Sequence, residues 1–572
     1  MTNQVVITGK AELTSEEQMA HLARRLAPLR LEGGHKSTPG SLPGNVRLVE
    51  LLGATTPLEV NLDLLYSEQY DSQRVLSFPI GINEDGRPQT VILREGPQGG
   101  NGHHALLAGA TGKGKSVTLL SIVLSLAASN SPSHLNFVLA DFKGGASELA
   151  RLKQLPHVVG FVTDLDEAYV ERFRQSLEGE IERRKRIFES TPQLVGRQIQ
   201  NIYEYNKAMP ENLMPHLVVV IDEFARASQV SPEFKTTVEK NIARQGRALG
   251  IHLILSSQTA VDFTSVRPNI DVRMSMQLQT AEESRAIFNR DDAAKRLTRA
   301  GQAFIQVGDN QIFEMFQVAR ADTPYHEQGA DLNLLDDFTI RLFRPDGRLE
   351  PLYNHKAAAP NGRQSSSYQN TQLSEAEVLV EHIRLHCEGK FMPSRPICLE
   401  PLPEPEKMPL GTVLLEEPVF CLWQPETGWE TDRQLPARRL KVPLGMLDLP
   451  TQQEQRPYLL DLTQGDGHFV LVGPPGSGKA MALRSLVLAL AAAHSPEELI
   501  FYFLGRGPTL TIFEELPHCQ ALVQGNETER LARLFPFWRR KKRSEHSSCV
   551  TIVPTIWRYC GTSCLILLCP HS

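Results

Sequence analysis

The segment Gly109-Ala-Thr-Gly-Lys-Gly114-Lys115-Ser116 follows one apolar run, Ala105–Ala108, and opens another, Val117–Ala128. A G-x-x-x-x-G-K-S sequence in that setting leaves little choice of architecture. The first run reads as a strand, the second as a helix, and the loop between them as a cradle of backbone N–H groups at the positive end of the helix. The glycines let successive amides turn inward around phosphate groups. Lys115 would reach the outer phosphates, and the Ser116 hydroxyl would coordinate magnesium. Gly109, Ala110, Thr111, Gly112, Lys113, Gly114, Lys115 and Ser116 are thus the expected cradle, with ATP and Mg2+ as its ligands.

A phosphate loop needs acids on a nearby strand. Leu217-Val-Val-Val-Ile221 is an unbroken, mostly β-branched run ending in Asp222-Glu223-Phe224, the pattern of a strand buried on both faces. Asp222 is expected to hold magnesium and Glu223 to polarise the attacking water. A further run, Ile251–Leu255, ends in Ser256-Ser257-Gln258. That ending places small polar groups at the same sheet edge, with Gln258 as a candidate γ-phosphate sensor. Asp141-Phe-Lys-Gly-Gly-Ala146, after the strand Leu135–Ala140, adds a carboxylate and a flexible turn that would shape the site. Ring-forming ATPases complete one subunit's site with a neighbour's arginine. Arg247 is the first candidate here, with Arg244 and Arg172 as alternatives.

Laying Gly467–Phe503 over His103–Leu139 reveals an internal repeat. Gly109, Gly114 and Lys115 meet Gly473, Gly478 and Lys479, and Leu119, Ser121, Val123, Leu124 and Leu126 meet Leu483, Ser485, Val487, Leu488 and Leu490. Leu155-Pro-His157 meets Leu516-Pro-His518 after a short slip. Two related modules stand in tandem, each with alternating helices and strands. That alternation predicts an α/β fold: tandem RecA-like modules around central, mostly parallel sheets. Gly473, Gly478 and Lys479 form a second candidate nucleotide loop. Ala480 replaces the magnesium-binding serine there, and a glutamate at the first module's spacing would fall beyond Ser572, so hydrolysis at the second loop is not expected.

The expected organisation is an N-terminal helical and linker region (1–70), a first ATPase module (71–335), a linker (336–440), a second, incomplete module (441–548) and an atypical tail (549–572). Thr14 and Glu17 mark a helix running to about Leu26, and Ser374 and Glu377 mark another. His355–Thr371 and the proline-rich Pro393–Pro409 read as connections. Cys549, Cys560, Cys564 and Cys569, half of the 8 cysteines, lie in the tail. The tail reads as the out-of-frame end of a longer parent, with a zinc site as the alternative.

Lys+Arg number 60 against 66 Asp+Glu, a net charge of −6 that gives no global basic field for unselective DNA binding. The runs Arg183–Arg186 and Arg539–Arg543 read as solvated cations at a repeated helix end, with phosphate binding as the alternative. No apolar leader or membrane-length run occurs, so the expected location is the cytoplasm, with any recruitment to the inner face of the membrane left to a partner.

Gly109–Ser116, Asp141–Ala146, Leu155–His157, Val219–Phe224 and Gly246-Arg-Ala-Leu-Gly-Ile-His252, set on tandem modules, resemble the FtsK/SpoIIIE-type ATPases and specifically the EccC-like ATPases of type VII secretion. The resemblance covers about Leu42–Val318 and Val442–Arg543. It implies self-association into a ring, ATP-driven movement of small secreted helical-hairpin proteins, and a membrane-anchored secretion partner. A DNA translocase of the same superfamily is the alternative, which would make DNA a partner. A nucleotide-gated scaffold without steady turnover is the second alternative.

Overall fold

The computed structural model describes residues 29–31, 42–67, 75–143, 147–163, 166–258, 263, 265–308, 312–325, 340–343, 349–353, 373–403, 423–424, 428–429, 440–462, 468–474, 476–505, 510–524, 527–530, 532–533, 550–552 and 564–570. The chain divides into two compact units, Met1–Cys398 and Leu399–Ser572.

In chain order the first unit contains β1 (Leu29–Leu31), β2 (Ser77–Asn83), β3 (Pro88–Ile92), β4 (Ala105–Ala108), β5 (Leu135–Asp141), β6 (Val158–Val162) and β7 (His216–Asp222). These are followed by β8 (Ile251–Ser257), β9 (Val272–Ser275), β10 (Gln302–Val307), β11 (Ile312–Val318), β12 (Ile340–Phe343) and β13 (Leu349–Tyr353). β1, β12 and β13 make a small antiparallel sheet; the rest form one sheet in the order β3-β2-β11-β10-β9-β4-β8-β7-β5-β6. From β9 to β6 the strands are parallel. From β9 through β10, β11 and β2 to β3 every pairing is antiparallel.

The β-branched run of β7 is buried at every position, because helices cover both faces of the sheet. Val218 and Val220 pack into one core with Leu119, Leu120 and Val123 of the helix Lys115–Ser129. Leu217, Val219 and Ile221 pack into the other with Phe173, Phe224 and Phe234. Period-two alternation of the strand thus feeds two separate helical layers.

The expected strands at 105–108, 135–140, 217–221, 251–256 and 303–307 all form, some a residue longer at an end. Ser374 and Glu377 make the expected capping box. Their helix, Glu375–Cys387, falls within the stretch read as linker, yet its Leu379, Val380 and Ile383 lie in the first unit's core. Ser394–Cys398 runs along β6, where the Ile397 amide donates to the Val159 carbonyl at 2.7 Å. The helix expected before Leu26, the connection 355–371 and the run Arg539–Arg543 lie outside the described residues.

One expectation is corrected at a single residue. Within Arg183–Arg186, in the last third of the helix Glu167–Ser190, Arg186 is exposed and Arg183 and Lys185 are half-buried, but Arg184 is buried. Its guanidinium donates to Glu180 Oε1 (2.7 Å), the Leu249 carbonyl (2.8 Å) and the Pro215 carbonyl (2.9 Å). Those carbonyls end the segments leading into β8 and β7, so the arginine ties the helix to the amino ends of two central strands. Burial pushes the Glu180 carboxyl up, but Arg184 and Arg183 outweigh it and hold the group down to about 2.

In the second unit β14 (Trp423–Gln424) pairs with β15 (Gly428–Trp429), and β16 (Lys441–Leu449) with β17 (Glu454–Asp461), each as a separate antiparallel hairpin. β18 (His468–Phe469), β19 (Leu499–Gly505), β20 (Cys519–Gln524), β21 (Val550–Ile552) and β22 (Cys564–Pro570) form a sheet in the order β18-β21-β22-β19-β20. The stretch read as a tail therefore supplies two strands. The repeat is visible in atomic detail. His157 Nε2 lies 2.7 Å from the carbonyl of Asn130, the residue capping the end of helix Lys115–Ser129, and His518 Nε2 lies 2.7 Å from that of His494, the cap of helix Lys479–Ala493. Leu-Pro-His is thus a helix-end tie used once per unit.

Candidate functional site

β4 ends at Ala108, and the chain turns through Gly109–Gly114 into the helix Lys115–Ser129. Gly112 and Gly114 take left-handed φ values of 79° and 99°, which side-chain-bearing residues rarely adopt. A Cβ on Gly109 would lie 2.8 Å from Met276 Cβ, so that glycine is set by close packing. The loop is braced from the β9 side, with the Ala110 amide donating to the Gln277 carbonyl at 3.1 Å. The first helical bond runs from the Thr118 amide to the Gly114 carbonyl at 2.9 Å. The amides of Lys115, Ser116 and Val117 are thereby left without intrahelical acceptors, as at any helix start.

Sheet order brings the acids to this loop. β8 and β7 lie next to β4, so their carboxyl ends open beside the phosphate loop. Lys115 Nζ donates to Glu223 Oε1 at 2.6 Å and to Asp222 Oδ1 at 3.0 Å, with all three side chains buried. The Ser256 hydroxyl donates to Asp222 Oδ1 at 2.7 Å. Gln258 Nε2 donates to Glu223 Oε1 at 2.9 Å, and its Oε1 accepts from the Thr111 hydroxyl at 3.0 Å. Lys115, Asp222, Glu223 and Gln258, distant in sequence, therefore form one hydrogen-bonded cluster at the mouth of the loop.

Glu223 itself is left-handed, at φ 57° and ψ 48°. For a non-glycine residue this costs on the order of 1 kcal/mol or more, and such outliers gather at functional sites. The turn aims the glutamate back across the strand end toward Lys115. Residue type gives no sign of this conformation, whereas the small hydroxyls at the end of β8 are the signal for the Ser256–Asp222 bond. Asp141 stands in register with Asp222 on the adjacent strand but turns to its own loop, accepting from the Lys143 amide at 2.9 Å and from the Ser147 hydroxyl. Arg226 donates to the carbonyls of Phe142 and Lys143, tying that loop to the helix after Glu223.

The donor set fits a metal–nucleotide pair. Two buried carboxylates and the Ser116 hydroxyl offer oxygen ligands suited to Mg2+, and the Ser256 hydroxyl fixes one of those carboxylates. The single ammonium now offsetting the carboxylates is placed to turn to a phosphate instead.

Arg247 lies elsewhere. It sits on the short helix Ala243–Leu249 before β8, at the amino-terminal edge of the parallel strands, with its guanidinium 3.6 Å from Glu95. It is thus not brought to this chain's own loop, and Arg244, on the same helix, is exposed. Beside it His103, His104, His216 and His252 are buried together. His216 Nδ1 lies 3.0 Å from His252 Nε2, and the rings of His103 and His252 stack at 3.9 Å. Burial pushes His103 down to about 4 and the other three well below the usual imidazole range. They act as neutral hydrogen-bonding groups.

In the second unit Gly476 and Gly478 repeat the left-handed turns, at 81° and 83°. Among the described residues Lys479 meets no carboxylate and donates to the carbonyls of its own loop, Gly473 and Pro474, at 2.6 Å each. Among the described residues no helix is long and apolar enough to cross a membrane.

Comparison with known proteins agrees with this geometry. The FtsK/SpoIIIE family model matches residues 62–313 and 433–535, more than half of the chain. The chain is 31% identical over 536 residues to the ESX secretion system protein EccC of Thermomonospora curvata, covering 92% of this chain and 39% of that protein. It is 30% identical over 542 residues to the type VII secretion system protein EssC of Staphylococcus aureus, covering 91% and 34% respectively. The solved cytoplasmic domain of the Thermomonospora curvata type VII secretion ATPase EccC superposes with a TM-score of 0.67 at 28% identity, over 86% of this chain and 51% of that one. Well under half of the length of either curated relative is thus represented here.

Proposed function

This chain belongs to the FtsK/SpoIIIE family, and from that premise we propose that its first unit is an ATP-hydrolysing motor module serving protein export of the type VII kind. The observation that carries the reading is the cluster of buried Lys115, Asp222 and Glu223 with half-buried Gln258 at the mouth of the Gly109–Ser116 loop.

The loop amides and the helix start bind the phosphates, and Lys115 leaves the acids to meet the outer ones. Ser116 and Asp222 would hold Mg2+, which when bound neutralises charge on the phosphate oxygens. Glu223 then has its carboxylate free to orient a water and take its proton. Gln258, hydrogen-bonded to both Glu223 and Thr111, couples the acid to the loop that senses the nucleotide. Arg247, remote from its own pocket, would serve a neighbour's site in a ring. The second unit, with Ala480 in place of the serine and no acid meeting Lys479 among the described residues, would grip a nucleotide through Gly473, Gly478 and Lys479.

The proposed partners are small secreted helical-hairpin proteins and a membrane-anchored secretion component, with work at the cytoplasmic face of the membrane. Steady-state phosphate release tests the reading. Stimulation by such a hairpin protein supports export. Stimulation by duplex DNA that collapses with added salt would point to a DNA translocase instead. No turnover under either condition would leave a nucleotide-gated scaffold.

A further inference from the structure

The left-handed turn at Glu223 is held in part by a contact that the proposed function would undo. Lys115 Nζ and Gln258 Nε2 both donate to Glu223 Oε1. When Lys115 turns to a phosphate, the glutamate loses its only cationic restraint among these two, at the moment it has to orient water. A glutamate at φ 57° persists only where its surroundings over-determine it. A restraint that does not pass through Lys115 is therefore needed.

The main chain and one side chain supply it. The Glu223 amide donates to Asp222 Oδ1 at 3.1 Å, and the Arg226 amide donates to the Glu223 carbonyl at 3.0 Å. Arg226 thus stands in the first turn of the helix Phe224–Val230, directly after the strained residue. Its Nη1 reaches back to the loop after β5, donating to the Lys143 carbonyl at 2.5 Å and to the Phe142 carbonyl at 3.4 Å. Those acceptors are themselves anchored. The Phe142 ring is completely buried, 6.2 Å from Phe173 and 6.1 Å from Phe234. The Phe142 amide donates to the Asp222 carbonyl at 3.3 Å, and the Lys143 amide to Asp141 Oδ1 at 2.9 Å. Asp222 and Glu223 are therefore clasped between the end of β5 and the helix that follows them. Arg226 is exposed, so the core does not depend on it.

We propose that Arg226 is a positioning residue for Glu223. By tying the first turn of its helix to the carbonyls of Phe142 and Lys143, it keeps the left-handed turn in place once Lys115 has left the glutamate. The bonds are charge-assisted and run to fixed main-chain acceptors, so they fix position better than a contact between two long side chains would. The inference rests on the ATP-hydrolysing reading of the first unit and adds to it a residue that acts through the glutamate.

Single-turnover hydrolysis and ATP-binding titration of the full chain test this, with Arg226→Ala, Glu223→Gln and the double variant. Arg226→Ala should hydrolyse roughly tenfold more slowly, with ATP affinity within about twofold of wild type. In the Glu223→Gln background the alanine should cost nothing further, because its effect runs through the glutamate. Hydrogen exchange with Mg-ATPγS bound reads the turn without turnover. Amides of residues 226–230 should exchange roughly tenfold faster in Arg226→Ala, while β7, the control for folding, exchanges as in wild type. A wild-type chain that binds ATP and never hydrolyses it would overturn the hydrolytic reading, and the exchange difference would still decide the tie. An alanine variant as fast as wild type, a loss confined to ATP affinity, an equal further loss in the Glu223→Gln background, or equal exchange in the two proteins would each overturn the proposal.

Discussion

Lys115 Nζ and Glu223 Oε1 lie 2.6 Å apart, with both side chains buried. In the proposed motor the cation assigned to phosphate thus rests on the acid assigned to water, and Asp222 shares it at 3.0 Å. On that proposal, nucleotide binding and the release of Glu223 are one event.

Lys115→Ala should weaken Mg-ATP binding. A charge-assisted hydrogen bond is worth about 1.5–3 kcal/mol, or roughly 10- to 150-fold in affinity. It also leaves two buried carboxylates without their cation, so the melting temperature of the nucleotide-free protein should fall. Titration calorimetry and thermal melting read the two effects.

Ser256→Ala removes the hydroxyl that holds Asp222 Oδ1 at 2.7 Å. The expected cost falls on kcat more than on nucleotide affinity, by about 1–3 kcal/mol. A lowered affinity with unchanged kcat would assign the serine to binding instead.

Arg184→Met should unfold the first unit at a lower denaturant concentration, by roughly 1.5–3 kcal/mol, because Glu180 keeps Arg183 but loses its second cation, and the Leu249 and Pro215 carbonyls lose their donor. Adding Glu180→Leu should restore much of that loss. Urea unfolding of the single and double variants measures the coupling. A loss the double variant does not recover would mean that the carbonyl contacts to Leu249 and Pro215 dominate.

Burial holds His103 and His157 at about 4 in the folded protein. Free imidazole titrates near 6.5, so between these values the unfolded chain binds more protons than the folded one. Stability therefore rises with pH across that window: it is complete above about 6.5 and is lost as pH falls toward 4. Each group contributes roughly 3 kcal/mol at most. Urea midpoints measured between pH 5 and 7 should show the slope, and His157→Gln should make it shallower.

Arg247→Ala should leave the isolated chain's hydrolysis rate unchanged and lower it only in the assembled ring, where the arginine would reach a neighbour's pocket. Rates measured below and above the assembly concentration distinguish the two.

Much of the first unit was legible because its signals are local. A phosphate loop between apolar runs, and a β-branched run ending in Asp222-Glu223, each specify a strand and its edge. The repeat likewise announces a second unit. Strand order and the antiparallel extension through β10, β11, β2 and β3 were not legible, since pairing partners far apart in sequence leave no periodic mark. Arg184 was misread for a related reason: four adjacent cations look like a wet surface until Glu180, Pro215 and Leu249 surround one of them. Glu223's left-handed turn leaves no trace in residue type either, since glycine would be the expected occupant.

Phosphate release by the purified full chain, wild type against Glu223→Gln, each paired with an ATP-binding titration, tests the hydrolytic role of the first unit most directly. The expected result is retained binding in both and hydrolysis reduced by about a hundredfold or more in the glutamine variant. Equal hydrolysis by the two proteins would contradict it.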